Sequence, residues 1–447
     1  MKKNYDVIIA GGGTAGCACA YIAGILGLNV LLIEKNSYLG GTMTSSLVTP
    51  AMNNLTSKSI NTDFYKLFTK KLYDIGGQIT YLDGNIGWFN PELAKIILDE
   101  MMTEANIDVI FNTEIEGILT DKNIISAIKL HGKCTNNYKY NVSIHTNNIN
   151  NNEEVLSEYI DTRFVVDGTG DAKIFEKLNL KFLNNFEKNN ENKFQPMTLR
   201  FIMSGINIRK FSDWIMDLDE NRDVTNSCTI NGQTHLSTAY TWDTDKQWAL
   251  EPVFRSGIEE GLITEEDSNY FQAFTIPQMH SSVAFNCPRL LELIDFNDAE
   301  HLSSALKRCR KSIFRLSNFL KVKFKGFENA YISHIADSIG VRVSNRIKGK
   351  YVYTIDDLRS GKIFKNPCLI SSYPVDIHSK DKNSSILEKQ NQEYMLPLES
   401  LMSADYDNLF AVGRCISADF YSQGALRIIP SCFSMGEGLA RYIANIK

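Results

Sequence analysis

The chain has 447 residues, 43% of them hydrophobic and 22% charged, a length that spans two to three domains at roughly 100–200 residues each and a composition that excludes global disorder. Lys and Arg total 47 against 52 Asp and Glu, a net charge of −5, so no basic excess exists to hold a phosphate backbone and nucleic acid is not an expected partner. Nine cysteines are scattered without a CxxC pair or a zinc spacing, which predicts reduced thiols in a cytoplasmic protein and no metal site.

In chain order, Tyr5 to Ala10 reads as a short strand, Thr14 to about Leu26 as a helix and Val30 to Ile33 as a second strand, together a βαβ unit. The basic start Met1-Lys2-Lys3 leads into an apolar run that breaks at Gly11-Gly12-Gly13 with no cleavage site, so no targeting segment is expected. The apolar stretch from Ala15 to Ile33 is split by Gly24, Gly27 and Asn29 and reads as helix and strand, so no membrane insertion is expected. Asn90-Pro91-Glu92 opens a helix to about Ala105, because Asn caps it, Pro suits its first turn and Glu favours the positive end of its dipole. Ile107 to Phe111 follows as a buried parallel strand, and Ile115–Leu119 with Ile124–Leu130 as a meander.

The Asn-rich stretch between Asn136 and Glu158 lacks the apolar mass to pack and reads as a surface excursion. Arg163 to Asp167 is the next strand, ending at Gly168-Thr169-Gly170-Asp171. From about Leu180 to Glu388 the pattern shifts to longer mixed strands and helices, with a basic amphipathic helix through Ala305–Leu320 and a polar loop at Ser379–Ser385. The last sixty residues return to α/β, with a strand at Leu409–Val412 and a helix from about Ser431 to Ile446. The expected fold is α/β: a discontinuous Rossmann-like nucleotide-binding domain, residues 1–180 plus 389–447, with an inserted α+β substrate domain at 181–388.

Gly11-Gly12-Gly13-Thr14-Ala15-Gly16 is a GxGxxG between strand and helix. Gly11 permits the tight turn, Gly13 lets backbone approach a pyrophosphate, and Gly16 allows the helix to pack on the strand. The helix start at Thr14 and Ala15 offers free N–H groups and a partial positive charge to phosphates. Glu34 stands eighteen positions after Gly16, at the end of the second strand, where an acid accepts ribose hydroxyls and disfavours a 2′-phosphate.

Glu34-Lys35 is followed by Leu39-Gly40-Gly41-Thr42-Met43, and here the sequence resembles the glutathione-reductase-like FAD flavoproteins, more narrowly the broad FAD-dependent oxidoreductase group. The resemblance implies FAD as cofactor, with Gly40 and Gly41 bringing the chain under its pyrophosphate and ribityl, and Lys35 and Thr42 beside them. It implies that Ile115 holds adenine through its backbone and that Gly168, Gly170 and Asp171 form the strand-end motif. Near the C-terminus, Val412-Gly413-Arg414-Cys415 and Gln423-Gly424-Ala425-Leu426-Arg427-Ile428-Ile429-Pro430-Ser431-Cys432 carry it furthest. By resemblance Gly413 and Arg414 lie along the ribityl chain, and the helix opened at Ser431 and Cys432 points its N-terminus at the flavin pyrimidine, where its dipole stabilises anionic reduced flavin. Two departures stand out. Asp419-Phe420 occupies the place where many relatives carry His, and Gly340-Val341-Arg342-Val343-Ser344-Asn345-Arg346 lacks one acid and one base of the family's segment.

A flavin carries the redox chemistry itself, so the protein supplies substrate positioning and a proton carrier. In Tyr373-Pro374-Val375-Asp376-Ile377-His378 the alternation puts Asp376 and His378 on one face, either as a proton-transfer pair or as a structural His and Asp at a domain junction. This stretch also resembles the family's Ser-Tyr-Pro-x-Asp-x-His segment. Arg342 and Arg346 share a face if their segment is regular, and either clamp a carboxylate, fasten the substrate domain to flavin phosphates or form ordinary ion pairs. Arg427 precedes the flavin-facing helix, Cys415 and Cys432 fall near the flavin in sequence, and Gln278 and His280 are unfixed pocket candidates. No second GxGxxG marks a nicotinamide domain and no CxxC or CxxxxC marks a dithiol relay.

The expected function is FAD-dependent oxidation of a small polar organic substrate by hydride transfer to flavin N5. The alternatives are a flavin monooxygenase or reductase fed by a separate NAD(P)H donor, or a non-catalytic FAD electron-relay subunit. The substrate, the electron acceptor and the oligomeric state are not readable from the sequence.

Overall fold

The computed structural model describes residues 2–52, 56–80, 86–131, 159–183, 194–241, 248–292, 298–378 and 386–446. The Asn-rich excursion at 136–158 and the 379–385 loop lie outside the described residues. The βαβ unit forms as read: β1 (Asn4–Ala10), α1 (Thr14–Ile25) and β2 (Val30–Ile33). β1 is buried at every position after Asn4 and β2 throughout, because both faces of a parallel sheet are covered.

β1 pairs in parallel with β2 and with strand Tyr159–Asp167, and Ala10 aligns with both Ile33 and Asp167. The Gly-rich turn, Glu34 and Gly168–Asp171 therefore leave the sheet side by side at one edge, the place where open α/β sheets bind ligands. Strand Asp108–Ile110 flanks β2, while the hairpin Glu114–Asp121 and Ile124–His131 joins the first part of Tyr159–Asp167 antiparallel. Strand Leu409–Ala411 returns to the same sheet in parallel, with Ala411 opposite Asp167. Val412, Gly413 and Arg414 thereby join that edge.

The helix at 91–104 is capped as read, the Asn90 side chain accepting from the amides of Glu92 and Leu93. The closing helix, Ile429–Asn445, packs on α1 backbone to backbone: a Cβ added at Gly436 would stand 2.1 Å from the Ala15 carbonyl oxygen. That contact brings the start of the closing helix to the same end of the sheet as the start of α1.

The middle of the chain forms a six-stranded antiparallel sheet in the order 226–230, 233–241, 270–275, 283–285, 201–204, 331–335. Helix Ala299–Lys323 packs its apolar face into the same core and is longer at both ends than the expected 305–320; Asp298 sets its start by accepting from the amides of Glu300 and His301. Aromatic rings fill this core, among them Phe201 stacked on Phe285 at 4.7 Å and Phe254 against Phe319 at 5.0 Å. Among the described residues no helix is long and apolar enough to cross a membrane.

Candidate active site

One cavity of about 1050 Å³ runs from the edge of the parallel sheet to the antiparallel sheet, at the upper end of the ~300–1,000 Å³ typical of ligand pockets. At its first end the chain turns at Gly11, whose φ of +99° excludes a side chain without strain. The Gly12 amide donates to Glu34 Oε2 at 2.8 Å and the Asn36 amide to Glu34 Oε1 at 2.8 Å. Burial raises the Glu34 carboxyl above its ordinary value, while those two amides and Lys35 pull the other way. A carboxylate has about four acceptor positions, so Glu34 keeps capacity for a further donor beyond the two amides and the Asn36 side chain.

Gly13 leaves its Cβ position open, with no protein atom nearer than Gly168 O at 3.8 Å. Gly16 is the opposite case, since a Cβ there would meet Gly11 O at 2.0 Å. Gly16 therefore packs α1 onto the turn and does not line the cavity. Gly40 donates its amide to the Gly12 carbonyl and Gly41 lies against Gly13, so the Gly40-Gly41 pair is stitched under the first Gly-rich turn. Gly41 lines the cavity and Gly40 does not.

The strand-end acid Asp167 is fully buried and spent internally on Thr169 and the Ile174 amide. Asp171 instead pairs with Arg414 at 2.7 Å, and Gly170 gives the guanidinium room to lie 3.0 Å from its Cβ position. The Nε of Arg414 is buried without a hydrogen-bond partner. Lys35, Thr42, Ile115, Gly168, Gly413 and Cys432 all line the same cavity, whereas Ser431 is buried behind it. Burial pushes the Cys432 thiol up to about 12 and Cys415 well above its ordinary value, which leaves both as neutral, unreactive thiols.

At the far end Asp376 and His378 meet as the alternation requires, His378 Nε2 lying 3.4 Å from Asp376 Oδ1. Arg427 donates to the Asp376 carbonyl at 3.1 Å, to its carboxylate at 3.4 Å and to Gln195 Oε1 at 3.4 Å. Burial pulls the Asp376 carboxyl upward, but His378, Arg427 and Arg342 outweigh it and hold it well below the usual carboxylate range. Burial, and after it Arg289, brings His378 down to about 3. At neutral pH the pair is thus a carboxylate beside a neutral imidazole.

Arg342 and Arg346 do not share a face, because the segment between them is neither helix nor strand. Arg342 lines the cavity and donates to Thr198 Oγ1 and the Pro196 carbonyl, while Arg346 is buried with its Nη1 on the Ala418 carbonyl at 2.6 Å. Gln278 and His280 lie off the cavity, Gln278 donating to the Ile75 carbonyl. Asp419, standing where many relatives carry His, caps the helix at 420–426 and accepts from the amides of Ser422 and Ile355. Sequence reading missed Arg200, Gln195, Tyr270 and Arg289. The first three line the cavity, and Arg289 lies 3.2 Å over the Tyr270 ring. An arginine heading the apolar run Phe201-Ile202-Met203 was the available signal.

The buried histidines give the fold a pH dependence. His378 stands at about 3 and His235, brought down by burial and then by His280, at about 4, against an ordinary value of 6.5. Both stay neutral in the fold and protonate on unfolding, so their contribution is intact above about pH 6.5 and is lost as pH falls toward 4 and 3. The melting temperature is expected to fall between pH 7 and 5, and less steeply in His378→Gln. An equal slope in the variant would contradict this.

A Gly-rich strand–helix turn and a buried acid at the end of the neighbouring strand share one cavity with a carboxylate–imidazole pair, the arrangement expected of a dinucleotide-cofactor oxidoreductase. A family model described as FAD dependent oxidoreductase matches residues 6–445, and the chain belongs to that family. It is an enzyme, and its cofactor is FAD. The chain is similar to a ferredoxin–NADP reductase of Malacoplasma penetrans, 26% identical over 304 residues, covering 52% of this chain and 90% of that protein. It is also similar to a solved geranylgeranyl bacteriochlorophyll reductase-like protein of Thermoplasma acidophilum, with TM-score 0.45 and 12% identity over 99% of this chain and 78% of that one. A glycine oxidase from Bacillus cereus gives TM-score 0.43 and 10% identity over 99% and 96%.

Proposed function

We propose that this enzyme oxidises a small polar organic substrate by hydride transfer to flavin N5, with residues 1–180 and 389–447 holding FAD and 181–388 forming most of the substrate side. In this reading Gly11, Gly13, Thr14 and Ala15 cradle the pyrophosphate, and Gly16 and Gly40 fix the shape of that cradle. Glu34 takes the adenosine ribose, and Lys35 and Ile115 flank the adenine. Gly41, Thr42, Gly168, Gly170, Asp171, Gly413 and Arg414 follow the pyrophosphate and ribityl, with Cys432 at the helix start facing the ring and Ser431 supporting that helix start from behind. The open Cβ position of Gly13 and the partnerless Arg414 Nε support this fit. FAD, when bound there, would supply the two-electron acceptor of the oxidation.

The observation that carries the proposal is that the Asp376–His378 pair and Arg342 line the same cavity as the Gly-rich turn. With Nε2 directed at the Asp376 carboxylate, His378 presents Nδ1 to accept the proton that leaves the substrate hydroxyl or amine as its C–H bond breaks. Asp376 fixes that tautomer and Arg427 fixes Asp376. Arg342 anchors the substrate. Arg342→Ala should keep its flavin but lose substrate-dependent anaerobic bleaching at low substrate, through a KM raised about tenfold or more. Loss of flavin from the variant would assign Arg342 to the cofactor and overturn its role.

A second reading, a reductase or monooxygenase fed by NAD(P)H, is favoured by the similarity to a ferredoxin–NADP reductase. Rapid bleaching by NAD(P)H in the absence of any organic acid would select it.

A further inference from the structure

The segment from Gln195 to Arg200 is a hub on which four arginines from separate parts of the chain converge. Arg427 donates to Gln195, and Arg342 to the Pro196 carbonyl and Thr198 Oγ1. Arg289 sits opposite Thr198 in a short antiparallel ladder, and Arg200 closes the segment. Arg200 and Arg289 are 7% and 8% exposed, so these are buried charges and not a solvated face. Among the described residues the one carboxylate that any of the four hydrogen-bonds is Asp376. The Nε and Nη2 of Arg289 and the Nε of Arg427 are buried with no hydrogen-bond partner.

Burying cations without matching anions is destabilising because their hydration is lost, and an unmatched donor adds its own desolvation cost. Such a cluster persists where a ligand completes it. A neutral ligand satisfies the donors but leaves the charge, and a single carboxylate leaves most of it. A guanidinium fork matches the two oxygens of a carboxylate geometrically. Burial, and after it the neighbouring charges of Arg289, Arg427 and Arg200, hold Arg342 well below its ordinary value.

We infer that the substrate is a small organic acid carrying two carboxylates, held against Arg200, Arg342 and Arg427 beside the Asp376–His378 pair, with Arg289 supporting them from behind Tyr270. This rests on the hydride-transfer reading for the word substrate, and on the arginine cluster alone for the chemistry of the ligand.

The test is ligand binding to the FAD-loaded enzyme, read as thermal shift and as perturbation of the visible flavin spectrum at fixed ionic strength. The probes are malonate and succinate, acetate, the neutral diamide of succinate, and inorganic phosphate. The dicarboxylates should bind saturably and about tenfold or more tighter than acetate, the diamide should not bind, and phosphate should be weaker than either dicarboxylate. Arg200→Gln should weaken dicarboxylate binding about tenfold or more with flavin content unchanged, and Arg427→Gln serves if that variant does not fold. Equal binding of diamide, acetate or phosphate would overturn the inference, as would unchanged dicarboxylate binding in a folded arginine variant. A holoenzyme that binds malonate but is bleached by no organic acid would refute the hydride-transfer reading and leave the ligand class standing.

Discussion

Valine at position 13 should strip the protein of FAD while leaving its fold intact. The φ of Gly13 is −76°, ordinary for any residue, and a Cβ there has no protein neighbour closer than 3.8 Å. The apoprotein therefore accommodates the side chain, and the added methyls occupy the space through which a pyrophosphate approaches the backbone. An overpacking cost of ~1–3 kcal/mol converts to roughly fivefold to 150-fold weaker binding. Purified Gly13→Val should show a normal far-UV circular dichroism spectrum and little visible flavin absorbance. Gly16→Ala is the matched control, because its Cβ would lie 2.0 Å from Gly11 O. It should lower the melting temperature of the protein even before cofactor is considered. A yellow Gly13→Val protein would remove the cofactor from this turn.

His378→Gln should lower the rate of substrate-dependent flavin reduction by ~10²–10⁴ while flavin content stays unchanged. Glutamine retains a donor for Asp376 but takes up no proton from substrate. The pH profile sharpens the test. In the free enzyme burial and the neighbouring arginines hold His378 at about 3, so the acid limb of kcat/KM lies at low pH. An anion docked on Arg342 offsets that arginine and its neighbour Arg289, which raises the imidazole in the complex. The acid limb of kcat should therefore lie at higher pH than that of kcat/KM, and should vanish in the variant. A variant with unaltered rate and profile would return His378 to a structural role.

What the sequence made legible is what local rules determine. The Gly-rich turn, the cap at Asn90 and the closing helix depend on residues within a few positions of one another. The Asp376–His378 pair was legible for the same reason, since period-two alternation in a strand places both on one side. Arg342 and Arg346 defeated the same logic because their segment has no regular period: one side chain enters the cavity and the other turns to the Ala418 carbonyl. The arginine hub was not legible at all. Arg200, Arg289, Arg342 and Arg427 are brought together by the pairing of Arg289 with Thr198, the bridge from Thr198 to Gly340 and the end of the helix at 420–426, across more than two hundred positions, and no short window of sequence carries that information.

The most direct measurement is the visible absorbance of the purified enzyme under anaerobic conditions, titrated with malate and tartrate, then neutral polyols, then NAD(P)H, and finished by acid precipitation to identify the released flavin. The expected result is a yellow protein that releases FAD and whose flavin band bleaches with a hydroxy dicarboxylate but not with polyols or NAD(P)H. Immediate bleaching by NAD(P)H with none from any organic acid would contradict it.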